Sequence, residues 1–344
     1  MKIKFTILVF SVFLFTFCRP TKHLEQNSTT NAKKIVFLEK EAASKAITTD
    51  EAEGFFEKVQ LLDMQVQMKD NSIKSFDETK VAYRAYLRAS IVEFTEDEEV
   101  EVRHVLRRVQ QMCDEISTDI FPQQLQLVKI NMNHYGASVF YSRENTIIIP
   151  ENVLLRDLDS DFMKSMLREI FHIYTRYNYW QKVALYKKIG FERTHILEIP
   201  IALKNKMLTN PDGIEQYVIH HLSDRNHKDF SAVPIITVKH KNLLRSLSFY
   251  SNIQFFLYKT EGNEILTNTD GSSTIDMESI ENFYEQIGTN TNYIIHPDEI
   301  LADNFAMLVL WRSDYITISE LGIDIHGKSL LIDIENVITN LSNR

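Results

Sequence analysis

The chain has 344 residues, 44% hydrophobic and 25% charged, a globular profile that can bury one large core or two modest ones and is not that of a disordered chain. Its net charge of -9 supplies no basic stripe to neutralise phosphates, which argues against nucleic acid as a partner. With 9 Gly, 7 Pro and no Gly-rich phosphate loop, nucleotide binding also loses its usual signals, leaving small or peptide-like ligands or a protein partner.

The first element is an address. "MKIK" followed by "FTILVFSVFLFTF" is a short basic region and then an apolar run too short to span a bilayer comfortably, so residues 1–17 are expected to be a secretory signal and the chain exported. Cys18 stands where a bacterial lipoprotein signal is cleaved and lipidated, although Phe17 replaces the usual small residue. An ordinary signal cut a few residues later, or an uncleaved anchor, fits the same stretch. The expected location is therefore a membrane-anchored lipoprotein of the bacterial envelope, or else a periplasmic or secreted protein. Residues 18–44, polar and without periodicity over most of their length, are expected to be a lipidated cysteine and flexible tether. Should lipid consume Cys18, Cys113 is a lone thiol and the body has no internal disulfide.

Residues 45–344 are expected to form a single domain. In "ITTDEAEGFFEKVQLLDMQVQM", Thr48 and Glu51 have capping-box spacing and predict a helix beginning near residue 49. Thr95 and Glu98 repeat the signal ahead of "VEVRHVLRRVQQMCDEI". The period then changes: "LQLVKINM", "ASVFYS" and "NTIIIP" are β-prone, the last two joined in hairpin fashion at Arg143 and Glu144. From 152 to 178, Leu155, Leu158, Phe162, Met166, Ile170 and Ile173 recur at helical steps. "QYVIHHL", "VPIITVKH" and "IQFFLYKT" read as further strands, and "SIENFYEQIG", "HPDEILADNFAMLVLW" and "LLIDIENVITNL" as helices. The predicted class is α+β, with a helical N-terminal part, a small sheet beside the central helix and a helical C-terminal part.

Inside the central helix, "REIFH" (168–172) is one letter from H-E-x-x-H. In that motif two histidines at i and i+4 grip zinc from one face, and the glutamate between them takes a proton from the metal-bound water. By itself the segment also reads as two surface charges, Arg168 and Glu169, beside a half-buried His172. Further on, Pro297 fits a first helical position, and Glu299 and Asp303 share a face at i, i+4. First-turn acids need no metal, because the helix dipole already favours them.

"REIFH", "TNPDG" (209–213) and "HPDEILADNF" (296–305), in that order, resemble the H-E-L-F-H, T-N-P-D-A and H-P-E-E-I-L-A-D-N-F motifs of a bacterial zincin-like family of gluzincin type, mostly uncharacterised. Weaker echoes, "LLDMQVQMK", "FYSRENTIIIP" and "LYKKIGF", extend the resemblance over most of 45–312. It implies a zincin-like fold, Glu169 as general base, His172 and Glu299 as metal ligands, and Asp303 orienting from behind. Arg168 departs from the pattern at the first ligand position. A monocation about 4 Å from Zn²⁺ at an effective dielectric of roughly 20 is repelled by on the order of 8 kcal/mol. The expectation is thus no bound cofactor, with zinc only if the protein is active, and an Arg168 guanidinium lying between Glu169 and Glu299 as counter-ion. His195, His220, His221 and His296 are the candidate substitute ligands, and Tyr293 a candidate oxyanion donor. The implied function is a catalytically inactive pseudo-metallopeptidase that retains a cleft for a peptide or protein and joins the membrane through its lipid. An active metallopeptidase with a nonstandard ligand set and a structural surface lipoprotein are the alternatives.

Overall fold

The computed structural model describes residues 33–341, apart from 132–133, 157, 159, 195, 240–248 and 250–251. The expected signal, Cys18 and most of the tether lie outside the described residues. From Lys33 onward the chain forms one compact unit.

The tether expected to reach 44 already ends in structure. β1 (Lys34–Phe37) pairs in parallel with a later strand, and α1 (Lys40–Thr48) follows, because Ile35, Ala43 and Ile47 have apolar surface to bury. The helix expected to begin near 49 is instead broken. Thr48 ends α1, its hydroxyl donating back to Ser44 O. Asp50 accepts the amides of Glu53 and Phe55, and Gly54 takes a left-handed φ of 71° before α2 (Phe55–Lys58). α3 (Leu61–Met68), with Asp63 accepting from Gln60 N, and α4 (Phe76–Ala89) follow, then β2 (Ile91–Val92). α5 (Glu96–Asp114) starts on the expected Thr95/Glu98 capping box.

β3 (Gln124–Ile130), β4 (Tyr141–Arg143) and β5 (Thr146–Pro150) come next, β4 and β5 forming the expected hairpin, with Glu144 at positive φ in its turn. In this sheet β1, β3 and β5 run parallel, β4 is an edge strand and β2 pairs antiparallel to β3. Alternation buries both faces: Leu125, Leu127, Ile147 and Ile149 join the main core, while Val128, Ile130 and Ile148 pack with α1–α4.

The long helix expected from 152 divides into α6 (Glu151–Leu154) and α7 (Ser160–Tyr177), and Leu155 between them is 81% exposed. α8 (Tyr179–Lys188) turns back against it. β6 (Phe191–Arg193), α9 (Ile201–Lys204), β7 (Met207–Leu208), β8 (Tyr217–Ser223), β9 (Asp229–Val238), β10 (Ile253–Glu261) and β11 (Glu264–Ile265) build a second, antiparallel sheet. α10 (Phe283–Ile287), α11 (Pro297–Arg312), α12 (Ile318–Leu321) and α13 (Ile325–Leu341) close the chain.

The class is mixed α+β. α11 is buried at every position from Pro297 to Leu310, so apolar residues surround it except where Asp298, Glu299, Asp303 and Asn304 find polar partners, and Phe305 stacks on Phe171 of α7 at 4.9 Å between ring centres. Burying such a side chain contributes about 1.5–3 kcal/mol, so this contact fixes the α7–α11 seam on which the charged residues sit. Among the described residues no helix is long and apolar enough to cross a membrane.

Candidate functional site

α7 and α11 bring together residues 131 positions apart in the chain. Arg168 Nη2 donates to Glu299 Oε2 at 2.6 Å, Arg168 Nε stands 3.2 Å from Asp303 Oδ1, and the guanidinium lies 4.6 Å from the centre of the Tyr293 ring. The counter-ion role expected for Arg168 thus has a different pair of acids, Glu299 and Asp303 rather than Glu169 and Glu299. The reason is helical geometry: Glu299 and Asp303 are one turn apart on the facing helix, whereas Glu169 follows Arg168 directly and projects about 100° away. Tyr293, the candidate oxyanion donor, serves as a face for the guanidinium. Asp303 also receives the Thr291 hydroxyl and stands 3.6 Å from Lys164 Nζ.

Glu169, His172, Glu299 and Asp303 are all buried, so the surface-charge reading of "REIFH" fails for Glu169, and His172 is buried rather than half-buried. Glu299 Oε1 accepts from Asn210 Nδ2 at 2.9 Å. His172 Nε2 is 3.7 Å from Glu299 Oε2, beyond hydrogen-bonding distance. Among the described residues, neither nitrogen of His172 nor Oε2 of Glu169 has a hydrogen-bond partner. Unpaired buried polar atoms of this kind are uncommon and concentrate where a protein does chemistry or holds a ligand.

Two residues of "TNPDG" complete the site, Asn210 and Asp212, and neither was singled out from sequence. A turn between β7 and β8 carries them inward. Thr209 is tied to Asp63 of α3 through its amide and its hydroxyl, at 2.7 and 2.8 Å. Asp212 Oδ1 accepts Ser142 N at 2.7 Å and Ser142 Oγ at 2.9 Å, which also occupies the free amide of the edge strand β4. Gly213 lies against His296, and a Cβ there would collide with the imidazole. The signal available in sequence was two polar side chains flanking a proline within a motif already matched; their distance from 168 and 299 concealed it.

Glu169, His172 and Asp212 each offer a ligand atom, all within 4.8 Å of one another, so the cluster could hold a metal ion. The charges in this cluster act on one another. Burial, then the Asp212 charge, pushes the Glu169 carboxyl well above its usual range, and burial together with Glu299 raises Asp212. Burial alone would neutralise His172, but Glu299 and Asp212 push its imidazolium up; burial would raise Glu299, but His172 and Arg168 hold it down. The ligand set implied by the resemblance does not fit: Arg168 stands at its first position, and both Glu299 oxygens already accept hydrogen bonds.

Among the described residues, the substitute histidines do not arrive. His296 caps α11, accepting Asp298 N on Nδ1 while Nε2 contacts Glu215 O at 2.8 Å. His220 pairs with Ser231, and His221 sits at φ 57° in a β-bulge, so the strict strand alternation expected for this pair is lost. His195 lies outside the described residues.

A hollow of about 220 Å³ opens over Arg168, Glu169, Asp212, Tyr293 and Glu299, with Phe140 and Ser138 on its rim. A larger groove of about 420 Å³, lined by Leu208, Ile214, Ile235 and Ile295, shares Asn210 and Gly213 with the same turn. The hollow is charged, and the groove combines those apolar residues with Glu57, Lys58, Arg193 and Glu215.

A second buried cluster uses the same helices. Arg176 Nε meets Glu53 Oε2 at 2.6 Å, and Lys182 Nζ lies 3.6 Å from Glu53 Oε1 and 3.2 Å from Asp298 Oδ2, whose partner oxygen receives the Tyr186 hydroxyl. No family model, curated protein or solved structure matches the chain.

Proposed function

We propose that the protein is an exported, lipid-anchored, zincin-like pseudo-metallopeptidase that binds a peptide or protein segment across its old active-site cleft without cutting it. One observation carries the reading: the guanidinium of Arg168 is bonded to Glu299 and stands beside Asp303, supplying locally the positive charge that a catalytic ion would bring. The order of "REIFH", "TNPDG" and "HPDEILADNF" supports the zincin-like assignment, since all three converge on one site. The charged hollow and the groove on either side of the 209–213 turn have the composition for an extended peptide, polar groups fixing orientation and an apolar wall providing area. Cys18 remains the proposed lipidation site and the membrane the proposed place of attachment.

An active metallopeptidase with a nonstandard ligand set finds support in the Glu169, His172 and Asp212 cluster. It meets a chemical obstacle, because a metal held there uses Glu169 as a ligand and removes the base that would activate water. A structural lipoprotein accounts for the anchor but not for the unpaired groups. Incubating the full chain with a random peptide library, with zinc supplied, separates these readings by mass spectrometry. Retained peptides without cleavage products are expected. Cleavage that disappears in Glu169→Gln would overturn the proposal.

A further inference from the structure

We propose that Glu169, His172 and Asp212 form a divalent-cation site, for Zn²⁺ or Mn²⁺, displaced from the ligand set that the sequence resemblance implies. The inference goes beyond the loss of peptidase activity and can fail separately from it.

Geometry carries it first. One ligand atom from each residue lies within 4.8 Å of the other two, so side-chain shifts of about an ångström bring them to the roughly 3.3–3.6 Å ligand-to-ligand spacing of a tetrahedral ion with bonds of about 2.0–2.2 Å. All three side chains are buried, and the unpartnered atoms, Glu169 Oε2 and both His172 nitrogens, belong to this set. Asp212 is held for the role by Ser142, which takes Oδ1 twice and leaves Oδ2 outside those bonds. Charge agrees with geometry. Arg168 is bonded to Glu299 and stands beside Asp303, with Lys164 at the margin, while Asp212 feels the charges of His172 and Arg143 and Glu169 those of His172 and Arg168. Arg168 is committed to Glu299 and Asp303, and among the described residues neither Glu169 nor Asp212 makes an ion pair with a lysine or arginine. Arg168 does not bar a metal from the pocket so much as move it.

Two carboxylates and an imidazole suit a first-row ion. Calcium needs six to eight oxygens, and magnesium keeps several waters and avoids imidazole. Three protein ligands leave room for water on the ion, but the glutamate that would deprotonate that water is itself a ligand. A cation bound here would tie the 209–213 turn to α7 and stiffen the wall between the two hollows.

Equilibrium dialysis of the chelator-stripped full chain against Zn²⁺ and against Mn²⁺ tests the site. About one ion per chain is expected. Asp212→Asn and His172→Gln should each weaken binding by more than the roughly 10–100-fold typical of outer-shell changes, and Glu299→Gln by less. Asn keeps an acceptor for Ser142, and the melting temperature in chelator reports whether each variant folds. Should Asp212→Asn unfold, Glu169→Gln removes one ligand charge with little change of shape and is expected to show the same loss. Absence of a bound ion in the folded wild-type chain overturns the inference, as does binding that survives Asp212→Asn and is lost in Glu299→Gln. A chain that binds no metal leaves the non-hydrolytic reading standing, whereas a chain that binds one through these residues and cleaves peptides overturns only that reading.

Discussion

Helices α7 and α11 share two clusters of buried charge that are resolved in opposite ways. Around Arg176, two acids face two cations, Glu53 and Asp298 against Arg176 and Lys182, and every group is pushed toward its charged form. Burial would raise Glu53 and Asp298, but Arg176 and Lys182 hold Glu53 down, and Lys182 and His296 hold Asp298 down; burial would lower the two cations, but the same acids raise them. Around Arg168, Glu169 and Asp212 are pushed toward neutrality by burial and by neighbouring acids, against the pull of His172. Direct ion pairing therefore separates the two: each acid of the first cluster meets a lysine or arginine, and among the described residues Glu169 and Asp212 of the second do not.

Neutralising one acid in each cluster should change stability with opposite sign. Glu53→Gln strands Arg176 and Lys182 in the interior and is expected to cost about 3–5 kcal/mol in chemical denaturation, the range for breaking a buried pair. Glu169→Gln removes an unpaired carboxylate and, in chelator, is expected to stabilise by about 1–3 kcal/mol. A loss in the second case would mean that Glu169 has a partner the geometry does not give it. Gly213→Ala, which drives a methyl into His296 between the clusters, should cost about 1–3 kcal/mol through overpacking.

The pH dependences should also diverge, with slopes below about 1.4 kcal/mol per pH unit for each group. The folded-state pKa of Glu53 lies below its ordinary 4.5, so its contribution is present above that value and is lost as pH falls. Glu169 is raised from 4.5 to about 8, so stability is greatest below 4.5 and drains away as pH rises toward 8. Melting curves of wild type and each Gln variant across this range, in chelator, check both signs. The Glu53→Gln deficit should shrink in acid, and so should the Glu169→Gln advantage.

Much of this was legible in the sequence wherever the signal was local. The Thr95/Glu98 capping box, Pro297 at the head of α11, the β4–β5 hairpin and the strands at 217–223 and 253–261 all follow from periodicity and cap chemistry. The motif match placed Arg168 and Glu299 in one site, and they bond. Failures came where long-range partners override local pattern. Thr48 and Glu51 have capping-box spacing, yet Asp50 and Gly54 break the chain there so that Glu53 can reach Arg176. Asp212 gave no periodic signal because its role depends on a turn held by Asp63 and Ser142, both far away in sequence.

The most direct measurement of the central claim is zinc-dependent peptide cleavage by the full chain compared with Arg168→His, which puts a histidine one helical turn from His172 and frees Glu299. The account predicts no cleavage by wild type at any zinc concentration and cleavage gained by the variant. Zinc-dependent cleavage by wild type that Arg168→His fails to increase would contradict it.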